Sequence, residues 1–134
     1  MKTMAGTDKH RPMIAEGPAV ILVEPQLGEN IGMVARAMAN FGLAELRIVA
    51  PRDGWPNPKA EAAASGAIHV IEGVRLFDTL AEALTDCAYA VATTARQREG
   101  FKTVLGPVEA AGTLRARHAS GLKTAIIFGR ERFG

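Results

Sequence analysis

Apolar positions along the chain fall into two alternating rhythms, short unbroken runs and longer amphipathic stretches. Ala19 to Val23 reads AVILV, a β-branched run too short for a helix and suited to a strand buried on both faces. Glu24-Pro25 ends it. Asn30 then stands where a helix N-cap is expected, before a helical stretch from Ile31 to Phe41 that Gly42 closes. A second strand, Leu46 to Val49, stops at Ala50-Pro51 and completes a βαβ unit. The alternation continues through a Trp/Pro/Asn loop from Trp55 to Pro58, an Ala-rich helix from Lys59 to about Ser65 and a strand from about Val74 to Phe77. Asp78 is the expected cap of a helix from Thr79 to Asp86, and Tyr89 to Thr93 is the fourth strand. Pro107 opens a helix reaching about His118, and Thr124 to Phe128 is the fifth strand, running into Gly129.

Strands alternating with helices predict an α/β domain, a largely parallel sheet with helices on both faces. Residues 1–17 show no period and mix Gly, Pro, Lys and Asp, so they read as a flexible leader, with one domain over residues 18–134. In such sheets ligands bind beyond the carboxyl ends of the strands, where loops converge and helix N-termini present backbone donors. The unusual polar residues gather at that rim: Gln26, Glu29 and Asn30 after strand one, Thr94, Arg96 and Arg98 after strand four, Arg130, Glu131 and Arg132 after strand five.

Composition narrows the choice. With 134 residues and 48% hydrophobic content there is material for one core. No run of eighteen apolar residues or signal-like segment is present, so a cytoplasmic protein is expected. The net charge is only +2, but the cations are mostly arginines, several in short groups whose planar forks suit phosphate. Arg115 and Arg117, on a helix, read instead as solvated surface. Cys87 has no second cysteine to pair with and no ligand-spaced neighbours, so it reads as a buried structural thiol, and no metal site is expected. His10, His69 and His118 lie apart, and Trp55 reads as packing. Phosphate-loop, dinucleotide, zinc and serine-hydrolase signatures are missing from the sequence.

The most informative stretch is PQLGENIGMVARAMANFGL, Pro25 to Leu43. At helical spacing Ile31, Val34, Ala35 and Met38 share one face, and Met33, Arg36, Ala37 and Asn40 another. Both faces are apolar or small, so the helix is suited to packing on two sides, with Arg36 partly buried. A partly buried arginine needs an anion. Glu29 or Glu131 could supply it internally, or a ligand could.

The segment Asn30-x-Gly32-x-x-x-Arg36, running into Asn40-Phe41-Gly42, resembles motif 1 of the TrmH (SpoU)-type SPOUT methyltransferases. ATTARQR, Ala92 to Arg98, resembles the strand-four loop of the TrmJ branch, and IIFGRERFG, Ile126 to Gly134, the opening of motif 2. The three fall in order, and the likeness spans roughly Ala19 to Gly134.

This resemblance implies an S-adenosylmethionine-dependent RNA 2'-O-methyltransferase, with tRNA as the expected RNA, working as a homodimer without a metal. It implies catalytic roles for Asn30, Arg36 and Glu131, methyl-donor contacts from Thr93, Thr94, Gly129 and Arg130, and RNA contacts from Arg36, Arg96, Arg98 and Arg132. A guanidinium has no free lone pair for a proton, so phosphate binding and stabilisation of a developing alkoxide suit Arg36 better than base catalysis. For the threonines, strand-end capping is the plainer alternative. The family continues past motif 2 into a motif 3 and a C-terminal helix that tie a trefoil knot, and these 134 residues do not contain them. The rival expectation is therefore a non-catalytic truncated SPOUT module that binds RNA or a partner without methyl transfer. An unrelated flavodoxin-like domain is the third.

Overall fold

The computed structural model describes residues 17–93, 116 and 121–129. Five strands form one sheet: β1 (Ala19–Val23), β2 (Leu46–Val49), β3 (Arg75–Phe77), β4 (Tyr89–Thr93) and β5 (Thr124–Phe128). Their order is β3-β2-β1-β5-β4, and every neighbouring pair is parallel. The unbroken apolar run of β1 is explained by its central place, because both faces and both edges of that strand are covered.

Side chains alternate between two cores. Val20 and Leu22 of β1, with Leu46 and Ile48 of β2, face α1 (Gly28–Asn40), α2 (Pro58–Ala64) and α3 (Ile68–Glu72). Ala19 and Ile21, with Val49 and Ala125, face α4 (Leu80–Ala83), where Leu80, Leu84 and Cys87 pack. Helices on both sides of a parallel sheet are what the alternating pattern predicts. Cys87 is half-buried there, and Trp55 packs against the first core.

Helix ends were harder to read than strands. Helix α1 starts at Gly28, three residues before the expected Ile31, and Leu27 holds the cap position without a side-chain bond. Asn30 is thus inside the first turn rather than at the N-cap; its backbone N–H donates to Leu27 O at 3.1 Å. The other end follows expectation. Gly42 adopts φ +78°, its N–H donates to Ala39 O (3.1 Å), and the Leu43 N–H reaches back to Met38 O (2.8 Å), closing the helix as a Schellman turn.

Helix α2 is capped by Asn57, whose Oδ1 accepts from the N–H groups of Lys59 (2.9 Å) and Ala60 (3.3 Å). Ser65, at φ +52°, breaks it, and a 3₁₀ turn over Ser65–Ala67 leads into α3, a helix the sequence reading does not contain. Helix α4 is shorter than expected and its cap is Thr79, not Asp78: the Thr79 hydroxyl accepts from the Glu82 N–H at 3.1 Å, while the Glu82 carboxylate accepts from the Asp78 N–H at 3.2 Å. The helix expected from Pro107 to His118 lies outside the described residues except for the helical Ala116, as does the expected leader except for Gly17. Among the described residues no helix is long and apolar enough to cross a membrane.

Candidate active site

Strand register decides which loops meet. Phe128 of β5 pairs with Leu22 of β1 on one side and with Thr93 of β4 on the other. The ends of three adjacent strands therefore share one carboxyl rim, at the roughly 4.8 Å spacing of neighbouring strands. Thr93 and Gly129 stand at this rim on neighbouring strands. Asn30 joins them from the first turn of α1, after the short loop that leaves β1.

The backbone at the rim is held in unusual shapes. Glu24 and Ala50, the residues that follow β1 and β2, adopt φ +51° and +45° although neither is glycine. Each still donates its N–H to the neighbouring strand, Glu24 to Val49 O (2.7 Å) and Ala50 to Phe77 O (3.0 Å). Left-handed backbone of this kind costs on the order of 1–3 kcal/mol and collects at binding sites. No sequence signal marks either residue; each precedes a proline, which biases it toward extended conformations.

The named residues differ in how they are held. The Asn30 side chain makes no hydrogen bond among the described residues and is half-buried. Thr93 is exposed, and its hydroxyl donates to Ile127 O at 3.2 Å, the strand-capping bond named above as the plainer alternative. No donor among the described residues reaches that oxygen. Gly129 is exposed, and a Cβ built there would meet nothing within 4 Å among the described residues, so no close approach by them requires a glycine at the end of β5.

Arg36 requires a correction. It is exposed rather than partly buried, and it forms no ion pair among the described residues, with Glu29 or otherwise. Helix α1 buries only the face of Ile31, Ala35 and Met38; Met33, Arg36, Ala37 and Asn40 face outward. Six residues of helix put Arg36 about 9 Å along the axis from Asn30 and about 120° around it. Thr94, Arg96, Arg98, Arg130, Glu131 and Arg132 lie outside the described residues.

The opposite, amino edge holds a charged cluster that sequence reasoning missed. Arg47, in the middle of β2, is 1% exposed. Its guanidinium donates to both carboxylate oxygens of Asp86 (2.7 and 3.0 Å), to Glu45 and to Ala83 O (2.7 Å). Lys123 closes the group by pairing with Glu45. The Arg47 hydrogen bond holds the Asp86 carboxyl down to about 2, and Asp86 in turn raises the guanidinium further. Burial opposes ionisation of Glu45, but Lys123 and Arg47 outweigh it and lower its pKa. The available signal was one arginine inside an otherwise apolar strand.

Among the described residues no group of three or more His, Cys, Asp and Glu side chains could hold a metal ion.

The family model described as the SpoU rRNA Methylase family matches residues 17–134. The chain is 40% identical over 115 residues to the tRNA (cytidine/uridine/adenosine-2'-O-)-methyltransferase TrmJ of Pseudomonas aeruginosa, covering 86% of this chain and 44% of that protein. It is 39% identical over 115 residues to the uncharacterized tRNA/rRNA methyltransferase LasT of Escherichia coli, covering 86% and 50%. Among solved structures, TrmJ from Z. mobilis ZM4 superposes with a TM-score of 0.80 at 56% identity, over 87% of this chain and 51% of that one. The chain thus spans about half the length of the curated relatives it matches. With a five-stranded parallel sheet, a helix opening on the motif 1 residues and a family match over nearly its whole length, the chain belongs to the SpoU rRNA methylase family.

Proposed function

We propose that the protein transfers a methyl group from S-adenosylmethionine to the ribose 2'-hydroxyl of a tRNA nucleotide in the cytoplasm, acting as a homodimer and without a metal. The observation that carries this reading is the convergence of Asn30, Thr93 and Gly129 on one carboxyl rim of a parallel sheet. The names of the relatives in the TrmJ group support the reaction and the RNA.

The rim suits the donor. Gly129 meets no close neighbour among the described residues, and Thr93 offers acceptor lone pairs beside it. Thr93, Thr94, Gly129 and Arg130 would hold S-adenosylmethionine, which supplies an electrophilic methyl on its sulfonium. In-line transfer then depends on placing the ribose oxygen, which is largely positioning. Asn30, whose side-chain amide has no hydrogen-bond partner among the described residues, orients the ribose, and Glu131 orients neighbouring groups. Arg96, Arg98 and Arg132 hold phosphates, setting register without reading sequence. Arg36 stabilises the developing alkoxide and an adjacent phosphate by charge.

The exposed face of α1 supports the dimer. Met33 is 55% exposed and Phe41, at the end of the helix, 80% exposed, beside an Arg36 that has no carboxylate partner in its own chain among the described residues. A face of this composition is covered favourably by a second copy.

Tritiated methyl transfer from S-adenosylmethionine onto unmodified bulk tRNA, followed by nucleoside analysis, tests the proposal in the full-length protein. It predicts labelled 2'-O-methylnucleosides. Retention of tRNA without any labelled product would favour the rival reading, a module that binds RNA and transfers nothing.

A further inference from the structure

Helix α1 approaches α2 more closely than side chains normally allow. A Cβ built on Gly28 would lie 2.6 Å from Asn57 Oδ1 and 2.9 Å from both Cγ and Nδ2. One turn on, a Cβ on Gly32 would lie 2.6 Å from Ala60 O and from Ala63 Cβ. Two glycines four residues apart thus seat one side of α1 directly on the first two turns of α2. Asn57 is 7% exposed, and its Oδ1 is committed to the Lys59 and Ala60 N–H groups, so its amide is a fixed surface rather than a mobile one. The loops ahead of both helices are also tied, Arg52 N–H donating to Pro25 O at 3.0 Å. Asn30 follows Gly28 by two residues and therefore stands roughly 200° around the helix, on the side turned away from α2.

We propose that Gly28 and Asn57 are a positioning pair for Asn30: the capped Asn57 amide is the stop against which the first turn of α1 is seated, and this seat fixes where Asn30 stands at the rim. The inference rests on the methyl-transfer reading of that rim. A methyl group on residue 28 cannot share space with the amide, so the helix start must ride outward and carry Asn30 with it. Displacements of about 1 Å in a positioning-dependent reaction cost on the order of 100-fold in rate.

The test is a double-variant cycle in the full-length protein, reading single-turnover methyl transfer, KM for S-adenosylmethionine and thermal unfolding. Gly28→Ala is expected to lower the transfer rate about 10- to 100-fold with KM for the donor within about two-fold, because β4 and β5 are untouched. Asn57→Gly keeps an acceptable cap residue and is expected to cost less than about five-fold. The Gly28→Ala/Asn57→Gly protein is expected to return to the rate of Asn57→Gly alone. A Gly28→Ala protein that is merely less stable, with its rate intact, would mean that Asn57 swings aside and would overturn the pair; so would a double variant as slow as Gly28→Ala. If Gly28→Ala does not fold, the double variant decides: folded and active upholds the pair, slow or unfolded overturns it. An Asn30→Ala control separates the two layers. Active wild type with an indifferent Asn30→Ala removes the assignment of Asn30. A wild type that transfers no methyl group removes the functional reading itself. In both cases the pair is judged by the Asn30 side-chain amide resonances, which should move in Gly28→Ala and return in the double variant; resonances that stay put overturn it.

Discussion

The two edges of the sheet carry similar residue types and use them in opposite ways. At the amino edge Glu45, Arg47, Asp86 and Lys123 satisfy one another, and the central guanidinium is withdrawn from water. At the carboxyl rim the side chain of Asn30, and farther along α1 the guanidinium of Arg36, have no such partners among the described residues, and the rim backbone bends through left-handed residues at Glu24 and Ala50. A charge whose partners are all within the chain contributes to the fold; a polar group left without them is available to a ligand. Composition cannot separate the two groups, since each contains an arginine.

Substitutions at the two edges should therefore fail differently. The largest effect is expected for Arg36→Ala in the full-length protein: methyl transfer falls about 100- to 1,000-fold while the unfolding midpoint stays within about 2 °C. Near-normal turnover would remove Arg36 from the site. Arg47→Ala should do the reverse, costing about 2–4 kcal/mol in denaturant unfolding by stripping a buried hub and its packing. Its turnover, measured where the protein is folded, should match wild type; a large rate defect would erase the distinction between the edges.

Asp86→Asn sharpens the comparison through pH. The native carboxyl titrates near 2, below the ordinary value of 3.8, so its contribution is present above about pH 4 and is lost as pH falls toward 2. Because Asp86 is 55% exposed, the contribution should be about 1 kcal/mol rather than the full equivalent of the shift. Wild type and Asp86→Asn should differ by that amount at pH 6 and converge near pH 2; a difference that persists at pH 2 would contradict the charge-based account. Smallest is Thr93→Val. Loss of the hydroxyl bond to Ile127 O should cost under about 1 kcal/mol of stability and weaken donor binding about 2- to 10-fold by calorimetry. An unchanged donor affinity would leave Thr93 as a strand cap only.

How far the sequence discloses this arrangement depends on how local the cause is. The strand β1 is legible to the residue because its signal is its own apolar composition, and the end of α1 because Gly42 supplies the left-handed turn. The start of α1 is not: no side chain caps it, and the residue it brings close to Gly28 is Asn57, twenty-nine residues away. Arg47 has the same character: its partner Asp86 follows thirty-nine positions later, and nothing local in LRIV announces the pairing. For α3, a five-residue helix behind the break at Ser65, the periodic stretch is too short to stand out. At the candidate site, Asn30, Thr93 and Gly129 stand at the carboxyl rim where the alternation of strands and helices puts them, since strand ends are predictable from that alternation. The exposure of Arg36 is not predictable this way, because it depends on which of two apolar-looking faces of α1 meets the sheet.

The central claim, that the carboxyl rim and not the amino edge takes the methyl donor, is open to one direct measurement. Titration of S-adenosylmethionine into the ¹⁵N-labelled full-length protein should shift the backbone resonances of Glu24, Thr93 and Gly129 with a common saturation curve and leave Glu45, Arg47, Asp86 and Lys123 in place. Saturable shifts centred on the amino-edge cluster, or donor binding that leaves Thr93 and Gly129 unmoved, would contradict it.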